Sequence, residues 1–461
     1  MIVSSDLFKR FLTLTADRPD AAALIDGESG RVITRAELLV RAEELAARFA
    51  EAKLREREVL AVQLPNGVDF VAAFLAALKS KLVFAPIDRD ATAAEVAAVL
   101  KQFEIRALLN SGGLNAEGRM QNAETSAFSL LPSAFLLKLT SGSTGKPKAI
   151  LWSEANIVAD CKSICSTMDI TPDDINLGAI PFSHSYGFSN LVVPLVLQGT
   201  PVVVSNDYLP HSLLTLANRH HCTVAPLIPM VFEHLTFLSK DDGGFNTVRT
   251  FISAGAPLLA STSRRFRTRF GVDIHSFYGC SEVGGITYDR AGAAVERGSV
   301  GTALDGVTLD VDPATYRLTV RSKSVALGTL VDAKTFHPLD SAFVTDDLVE
   351  FDEGGEIVLT GRAGDLINTA GKKVNPREVE HVILQIDGVR QAKVYGEPAG
   401  ARGEVVAAAI VAEPHVTREL VRDFCRARLS RHKVPRIVKL IERLPTDERG
   451  KVKKPALISA S

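Results

Sequence analysis

Cysteine is scarce in this chain. Five cysteines among 461 residues are too few for a disulfide framework, which predicts a reducing compartment. An excess of charge of one sign is also missing, because 53 basic side chains stand against 54 acidic ones and the formal net charge is −1. The sequence therefore offers no overall electrostatic attraction to nucleic acid or to anionic lipid.

Long apolar runs are absent as well. Phe70–Leu78 and Leu191–Leu197 are among the longer runs. Both are far shorter than the about 20 residues that a membrane-spanning helix needs. The first 20 residues alternate short apolar stretches with charges and lack the apolar core of a signal peptide. We therefore expect a cytoplasmic protein without stable membrane insertion.

Two common nucleotide-binding signatures are missing. The sequence has no Gly-x-Gly-x-x-Gly fingerprint, so a nicotinamide or flavin site of the Rossmann type is unsupported. A Walker loop needs four residues between its glycines and a Ser or Thr after Gly-Lys. Here only two residues separate Gly142 from Gly145, and Pro147 follows Lys146.

What the chain does contain is a repeated alternation of short apolar strands with amphipathic helices. Three strand–helix–strand units are predicted: 59–64, 69–80 and 82–86; 175–180, 189–198 and 201–204; 248–252, 259–270 and 272–277. Such units indicate an α/β fold with mostly parallel sheets covered by helices.

The composition of the sequence changes after about residue 305. Residues 305–360 are β-rich and broken by Gly, Pro and Asp, and Gly361–Lys373 reads as a Gly-punctuated connector. Beyond it, a helix, two strands and a second helix are predicted over 376–385, 391–395, 405–411 and 417–429. The expected organisation is a large N-terminal domain over 1–364 with a β-rich subdomain, a hinge at 365, and a small mobile α+β lid over 366–461.

The most informative local feature is the loop Leu139–Lys148, which follows an apolar strand. Its two glycines allow a tight backbone path, and its hydroxyls and N–H groups can surround phosphate oxygens. Lys148 can add positive charge to such a site. The loop alone would also fit a solvent-exposed Ser/Gly turn.

Further motifs follow this loop in a fixed order: Pro181–Phe188, Ser253–Leu258, Phe277–Glu282, Val344–Leu348, Gly361–Lys373 and Pro445–Lys454. With the loop, they resemble the ordered motifs of the adenylate-forming superfamily. That superfamily comprises acyl-CoA synthetases, nonribosomal peptide adenylation domains and luciferases. The resemblance runs from residue 139 to residue 454.

The resemblance implies a nucleotide site. Its phosphate-binding residues would be Thr140, Ser141, Gly142, Ser143, Thr144, Gly145 and Lys148. The residues against adenine would be Gly255, Ala256, Pro257, Tyr278 and Gly279. Ser281 would bond a phosphate oxygen, Asp347 the ribose hydroxyls, and Arg362 the nucleotide, whereas Glu282 would hold Mg²⁺.

The resemblance also implies catalytic and acid-binding residues. Lys451 would bridge the acid carboxylate and the α-phosphate, together with Thr144 and His184 as catalytic groups. The acid pocket would be lined by Phe182, His184, Phe188, Ala254 and Gly284. Asp365 would be the pivot between the two domains, and Gly371 would enter the thiol channel.

Four positions depart from the superfamily pattern. Ser281 replaces the usual Thr but keeps the hydroxyl, and Asp346 stands where Gly is usual. Asn368 stands where many members carry Lys, and Lys454 replaces the final Arg. The Asp346 side chain adds negative charge beside the predicted nucleotide residues, so the sequence does not predict the local backbone shape.

The implied function is a ligase that uses ATP and Mg²⁺. A carboxylic acid would form an acyl-adenylate, and a thiol would then take the acyl group, most simply as an acyl-CoA synthetase. CoA and the phosphopantetheine of a carrier protein are alternative acceptors, so a stand-alone enzyme that loads an acyl or peptidyl carrier protein stays open. A serine hydrolase around Ser281 is disfavoured by Val283 where an elbow needs Gly. A non-catalytic nucleotide-binding relative is the third alternative.

Overall fold

The computed structural model describes residues 5–116, 133–141, 147–369, 372–398, 404–445 and 457. The chain divides into two compact units. Unit 1 comprises Met1–Thr308 and Val320–Phe343, and unit 2 comprises Leu309–Thr319 and Val344–Ser461. The predicted hinge at Asp365 lies inside unit 2 by this division and stays a prediction.

The α-helices of the described residues follow in chain order. They are α1 (Asp6–Asp17), α2 (Arg35–Glu51), α3 (Val68–Lys79), α4 (Ala93–Gln102), α5 (Glu154–Thr167), α6 (Ser185–Gly187), α7 (Val193–Gln198), α8 (Pro210–Arg219), α9 (Pro229–Leu235), α10 (Ala260–Phe270), α11 (Pro376–Ile383) and α12 (Arg418–Arg426). A π-helical turn, Phe188–Val192, joins α6 to α7, and 3₁₀ turns cover Lys240–Asp242, Ala294–Arg297 and Ala363–Asp365.

The strands number from the N-terminus in the same way. They are β1 (Ala22–Asp26), β2 (Val32–Thr34), β3 (Val59–Gln63), β4 (Val83–Pro86), β5 (Ala107–Asn110), β6 (Gly113–Ala116), β7 (Ala134–Ser141), β8 (Pro147–Ser153), β9 (Asn176–Gly178), β10 (Val202–Val204), β11 (Val224–Leu227), β12 (Thr250–Ser253), β13 (Ile274–Cys280), β14 (Gly284–Tyr288), β15 (Thr302–Ala303), β16 (Thr308–Val311), β17 (Arg317–Arg321), β18 (Gly328–Leu330), β19 (Phe336–Pro338), β20 (Ala342–Phe351), β21 (Ile357–Arg362), β22 (Ile367–Thr369), β23 (Lys372–Val374), β24 (Val389–Pro398), β25 (Glu404–Ala412) and β26 (Ile437–Leu440).

Two large sheets form the framework of unit 1. One has nine strands in the order β15-β14-β13-β12-β11-β9-β10-β1-β2, and the other has eight in the order β19-β18-β8-β7-β4-β3-β5-β6. Neighbouring strands from β13 to β1 in the first sheet are parallel, and so are β7, β4, β3 and β5 in the second. The α/β prediction and its three strand–helix–strand units are therefore confirmed.

The longest apolar run of the sequence forms the most deeply buried helix. Every residue from Phe70 to Leu78 in α3 is buried. The ring of Phe74 packs edge-on against Phe84 and Phe188, with ring centroids 5.2 and 5.0 Å apart. A helix that is apolar on all sides belongs in the interior of a large domain, which explains why this run needs no membrane. No helix in the described ranges is long and apolar enough to cross a bilayer.

Most residues of the smaller sheets belong to unit 2. Strands β16, β17, β20 and β21 form a four-stranded sheet, and β24, β25 and β26 form a three-stranded one. Helices α11 and α12 contribute Val379, Ile383, Val421 and Cys425 to the apolar core over the latter sheet.

The predicted connector Gly361–Lys373 is more structured than expected. Strand β21 ends at Arg362, a 3₁₀ turn follows, and β22 pairs with β23 in a short antiparallel hairpin. Ile367 and Val374 face each other in this hairpin and are buried in the core of unit 2. The glycines and charges of this segment predicted an irregular connector. Burial of the two apolar side chains instead stabilises a hairpin.

We predict that Phe74→Ala lowers the free energy of unfolding of unit 1 by about 3–5 kcal/mol, because it leaves a cavity among buried aromatic rings. The emission of Trp152, the single tryptophan of the chain, follows unfolding of unit 1 specifically. Phe237→Ala is the matched control, since that ring is 73% exposed and its loss should change stability by less than about 0.5 kcal/mol. Equal unfolding midpoints for the two variants would contradict the packing described here.

Candidate functional site

Most predicted site residues of unit 1 lie just beyond the carboxyl ends of parallel strands. Pro181–Phe188 follows β9, Ala254–Pro257 follows β12, and Tyr278–Glu282 closes β13. Asp88 follows β4 in the other sheet, where Thr140 and Ser141 end β7. Ligand sites of α/β proteins collect at such edges, because parallel strands deliver their carboxyl ends to one side of the sheet.

Two polar side chains, one at the end of β3 and one just beyond it, hold the segments that follow β9 and β4. Asn66 accepts a hydrogen bond from the amide of Phe182 at 2.8 Å and donates one to the carbonyl of Ile180 at 3.0 Å. The Gln63 amide donates to the carbonyls of Asp88 and Ala91 at 3.3 and 2.8 Å. The segments that carry His184 and Asp88 are thereby held next to each other.

His184 and Asp88 form a close pair at this junction. His184 Nε2 lies 2.7 Å from Asp88 Oδ2, and about a fifth of each side chain is exposed. The carboxylate fixes which ring nitrogen of His184 faces it, so the other nitrogen keeps a defined direction. Sequence reasoning missed Asp88, although its place directly after the apolar strand β4 is the same signal that marks the other site residues.

The predicted phosphate loop connects an antiparallel hairpin. Strands β7 and β8 pair with Thr140 opposite Lys148 and Ser141 opposite Pro147. The Thr140 hydroxyl donates to the Lys148 carbonyl at 3.4 Å. Gly142, Ser143, Thr144 and Gly145 lie outside the described residues, as do Gly371 and Lys451.

The turn between β13 and β14 carries Ser281 and Glu282. We call residues Cys280–Gly285 the 280–285 turn. It is tight: a Cβ on Gly279 would lie 2.3 Å from the Gly284 carbonyl oxygen, and Gly284 has φ +85°. The Ser281 hydroxyl lies 3.2 Å from that of Ser185, and the Ser281 carbonyl accepts the indole N–H of Trp152 at 3.0 Å. The backbone of the turn is therefore fixed from two sides.

A buried pair of charges lies behind this turn. Lys138 of β7 is 3% exposed and Asp160 of α5 is 1% exposed. Their link is Ser189, whose hydroxyl donates to Asp160 Oδ2 at 2.7 Å and accepts from Lys138 Nζ at 3.5 Å. The other carboxylate oxygen accepts the Gly285 amide at 2.9 Å.

Burial shifts the pKa values of both charged groups. Loss of water lowers the pKa of Lys138 to about 8, although the negative charge of Asp160 opposes the shift. Burial likewise raises the pKa of Asp160, against the Lys138 charge and the two hydrogen bonds to its oxygens.

The segment after β12 has the small residues that were predicted to lie against adenine. Ala254 is buried, whereas Gly255 and Pro257 are exposed. Gly255 has φ +88°, a left-handed conformation that favours glycine. Because glycine has no side chain, a ligand can approach the exposed backbone closely here. These residues and the 280–285 turn follow neighbouring parallel strands of the same sheet.

Two predicted pocket residues lie in the core. Phe182 and Phe188 are each 1% exposed. Their rings pack against Phe70 and Phe74, with centroids 5.8 and 5.0 Å apart. The remaining predicted pocket residues, His184, Ala254 and Gly284, stand at the carboxyl edge of the nine-stranded sheet.

In unit 2 the two predicted nucleotide residues pair with each other. Arg362 Nε donates to Asp347 Oδ1 at 2.7 Å, across the register of β20 and β21. Asp346 does not break the strand, because it lies within β20 with a 74% exposed side chain that pairs with Arg317 at 3.0 Å. The extra negative charge is thus balanced on the surface, and Asp365 ends the 3₁₀ turn after β21.

The chain matches two family descriptions. The AMP-binding enzyme family matches residues 12–134 and 132–328, and the AMP-binding enzyme C-terminal domain matches residues 378–451. Among its relatives, the sulfoacetate–CoA ligase of Cupriavidus necator is 26% identical over 96% of each chain. Feruloyl-CoA synthase of an Amycolatopsis species is 26% identical over 95% of each chain.

Solved structures share the fold. ATP-bound MatB from Rhodopseudomonas palustris superposes with a TM-score of 0.85 at 24% identity, covering 99% of each chain. The o-succinylbenzoate–CoA synthetase of Bacillus subtilis, solved with its acyl-adenylate intermediate, has a TM-score of 0.82 at 22% identity, covering 97% of each chain. The predicted fold of a large α/β N-terminal domain with a smaller C-terminal domain is confirmed.

We predict that Gly284→Ala destabilises unit 1 more than Gly271→Ala does. Both glycines have positive φ, +85° and +74°, so both variants strain the backbone by about 1–2 kcal/mol. A Cβ at Gly271 meets nothing within 4 Å, whereas one at Gly284 would lie 2.2 Å from Asp160 Oδ1. The clash should add about 1–3 kcal/mol in denaturant unfolding followed by Trp152 emission. Equal losses would show that Asp160 does not confine the 280–285 turn.

Proposed function

Since the chain belongs to the family of AMP-binding enzymes, as an acid–thiol ligase of the AMP-forming acyl-CoA synthetase type, we propose that it activates a carboxylic acid with MgATP and transfers the acyl group to CoA. The observation that carries this proposal is the meeting of His184, Asp88 and the 280–285 turn at the carboxyl edges of two sheets. Family membership favours this function over a serine hydrolase at Ser281 and over a non-catalytic nucleotide binder.

In the first step, one oxygen of the acid carboxylate attacks the α-phosphorus of ATP. A P–O bond forms, the bond to the pyrophosphate oxygen breaks, and acyl-adenylate and pyrophosphate result. Catalysis of such a step consists of positioning and of stabilising the charge on phosphorus. We propose that Ser281 bonds a phosphate oxygen, that the β7–β8 loop holds the β- and γ-phosphates, and that Lys451 contacts the α-phosphate and the carboxylate.

Glu282 is the proposed Mg²⁺ ligand. No group of three or more His, Cys, Asp or Glu side chains in the described ranges could hold a metal ion alone. One carboxylate on an accessible turn suits Mg²⁺, which is usually held by one or two carboxylates together with phosphates and waters. Bound there, the ion would neutralise phosphate charge.

In the second step, the thiol sulfur attacks the carbonyl carbon of the adenylate. A C–S bond forms, the C–O bond to AMP breaks, and the thiol proton is released. We propose that His184, oriented by Asp88, lies beside the acid carboxylate in this site. We further propose that Asp365 is the pivot between the two domains and that Gly371 enters the thiol channel. Asp347 and Arg362 would bind the ribose side of the nucleotide.

The acid remains to be identified by experiment. The related ligases are named for acids as different as sulfoacetate and ferulate, so the panel must span small polar, aryl, fatty and amino acids. ATP–pyrophosphate exchange detects the first step for each acid. Product formation with CoA, compared with a phosphopantetheinylated carrier protein, then identifies the acceptor. Exchange without transfer to CoA would favour the carrier-protein alternative.

We predict that Lys451→Ala lowers the exchange rate with the best acid by about 10²–10³-fold, because a charge-stabilising group at the reacting phosphate is lost. Lys453→Ala is the matched control, since it removes a lysine two residues away and should leave exchange unchanged. An unaffected rate in Lys451→Ala would refute the role given to this residue.

We predict that Asp88→Asn raises the KM for the acid about 10-fold in the exchange assay, because His184 loses a charged hydrogen-bond partner. The KM for MgATP should change little. Asp90→Asn is the control, because Asp90 lies in the same turn and pairs with Arg89 rather than with His184. If both variants bind the acid as the unchanged enzyme does, Asp88 does not orient His184 in the acid complex.

A further inference from the structure

Lys138, Ser189 and Asp160 form a chain of side chains that reaches the 280–285 turn. Lys138 lies on β7, Ser189 on the π-helical turn, and Asp160 on α5. The chain ends at the Gly285 amide, which donates to Asp160 Oδ1 at 2.9 Å. Three separate elements of unit 1 thus converge on the turn that carries Ser281 and Glu282.

Asp160 restricts the backbone of this turn. Its carboxyl group fills the space in which a Cβ of Gly284 would stand, at 2.2–2.6 Å from that position. The same carboxylate therefore accepts the Gly285 amide and fills the side-chain space of Gly284. A displacement of Asp160 would move both residues that follow Glu282 and Val283.

Lys138 reaches the same turn by a second route. Its ammonium lies 4.0 Å from the centroid of the Trp152 ring, a cation–π contact. The indole N–H of Trp152 donates to the Ser281 carbonyl at 3.0 Å. The lysine is thus coupled to the turn through Trp152 on one side and through Ser189 and Asp160 on the other.

Stability alone does not account for such a pair. Apolar side chains of similar volume usually stabilise a core as well as a buried pair of charges, whereas removal of one partner leaves a buried charge without compensation. In some proteins a buried charged pair fixes the geometry of the groups that it contacts. Here those groups are the backbone of the 280–285 turn.

We propose that Lys138 and Asp160 are positioning residues that hold the 280–285 turn so that Ser281 and Glu282 face MgATP. This inference rests on the proposed function, because Ser281 and Glu282 receive their roles there. Neither charge needs to contact substrate. The pair acts through Ser189, Trp152 and the amide of Gly285.

The test uses the full-length enzyme and four variants: Lys138→Met, Asp160→Asn, the double variant of both, and Arg35→Met. The two neutral replacements keep approximate shape, and Asp160→Asn replaces the charged acceptor of the Gly285 amide by a neutral one, which weakens that hydrogen bond. Arg35 is the matched control, since its guanidinium is also buried but donates to the Leu14 and Gly199 carbonyls instead. Thermal unfolding, MgATP titration by Trp152 emission, and the separate KM values for MgATP and acid are measured for each.

Each single variant should weaken MgATP binding and raise the KM for MgATP by about 10-fold or more, with the KM for the acid nearly unchanged. The double variant should stay about as impaired as the more impaired single variant, because either change alone already releases the turn, and such non-additive losses show that the two residues act as one unit. Arg35→Met should lower the unfolding temperature without altering either MgATP value.

Two results would overturn the inference. One is a normal MgATP affinity in both folded single variants. The other is a double variant whose loss equals the product of the two single losses, which would show that the two residues act independently rather than as a pair. The MgATP titration needs no acid, so it tests the inference even if the unchanged enzyme shows no pyrophosphate exchange with any acid of the panel. Absence of exchange with every acid would count against the proposed function but not against this inference.

Discussion

The hydrogen bond from the Gly285 amide to the buried Asp160 carboxylate is the interaction on which the site most depends. It fixes a turn in which Gly284 is left-handed and Gly279 approaches the Gly284 carbonyl too closely for any side chain. The indole of Trp152 also donates a hydrogen bond to the Ser281 carbonyl, so the backbone that carries Ser281 and Glu282 has little freedom. A preorganised turn of this kind suits a reaction in which the enzyme mainly positions phosphates and balances their charge.

The second constraint is the parallel order of strands in two sheets. Asn66, just after β3, and the His184–Asp88 pair link the carboxyl ends of the two sheets, and Gln63 at the end of β3 holds the segment of Asp88. His184 and Asp88 on the acid side of the proposed site and Ser281 and Glu282 on its nucleotide side are therefore built on one framework within unit 1. The Ser185–Ser281 contact at 3.2 Å joins the two sides.

Much of this could be predicted from the sequence, because strand and helix periods are local properties. The unit β3–α3–β4 and the later units follow from alternation alone. Asp88 was missed although it directly follows an apolar strand, whereas Lys138 and Asp160 were missed because their importance arises from packing between distant segments. The residues next to a lysine in an apolar strand, or next to an aspartate on a helix, do not show which distant side chain it will contact. The β22–β23 hairpin was missed for the same reason, since Ile367 and Val374 are held by burial.

The central claim is that the acid carboxylate attacks the α-phosphorus of ATP. The most direct test supplies the acid that supports pyrophosphate exchange with ¹⁸O in both carboxylate oxygens, in the presence of MgATP and CoA. One carboxylate oxygen becomes the bridging oxygen of the adenylate and leaves with AMP. Mass spectrometry should therefore find one ¹⁸O in each AMP formed. Unlabelled AMP, or ADP with ¹⁸O in inorganic phosphate, would contradict the account.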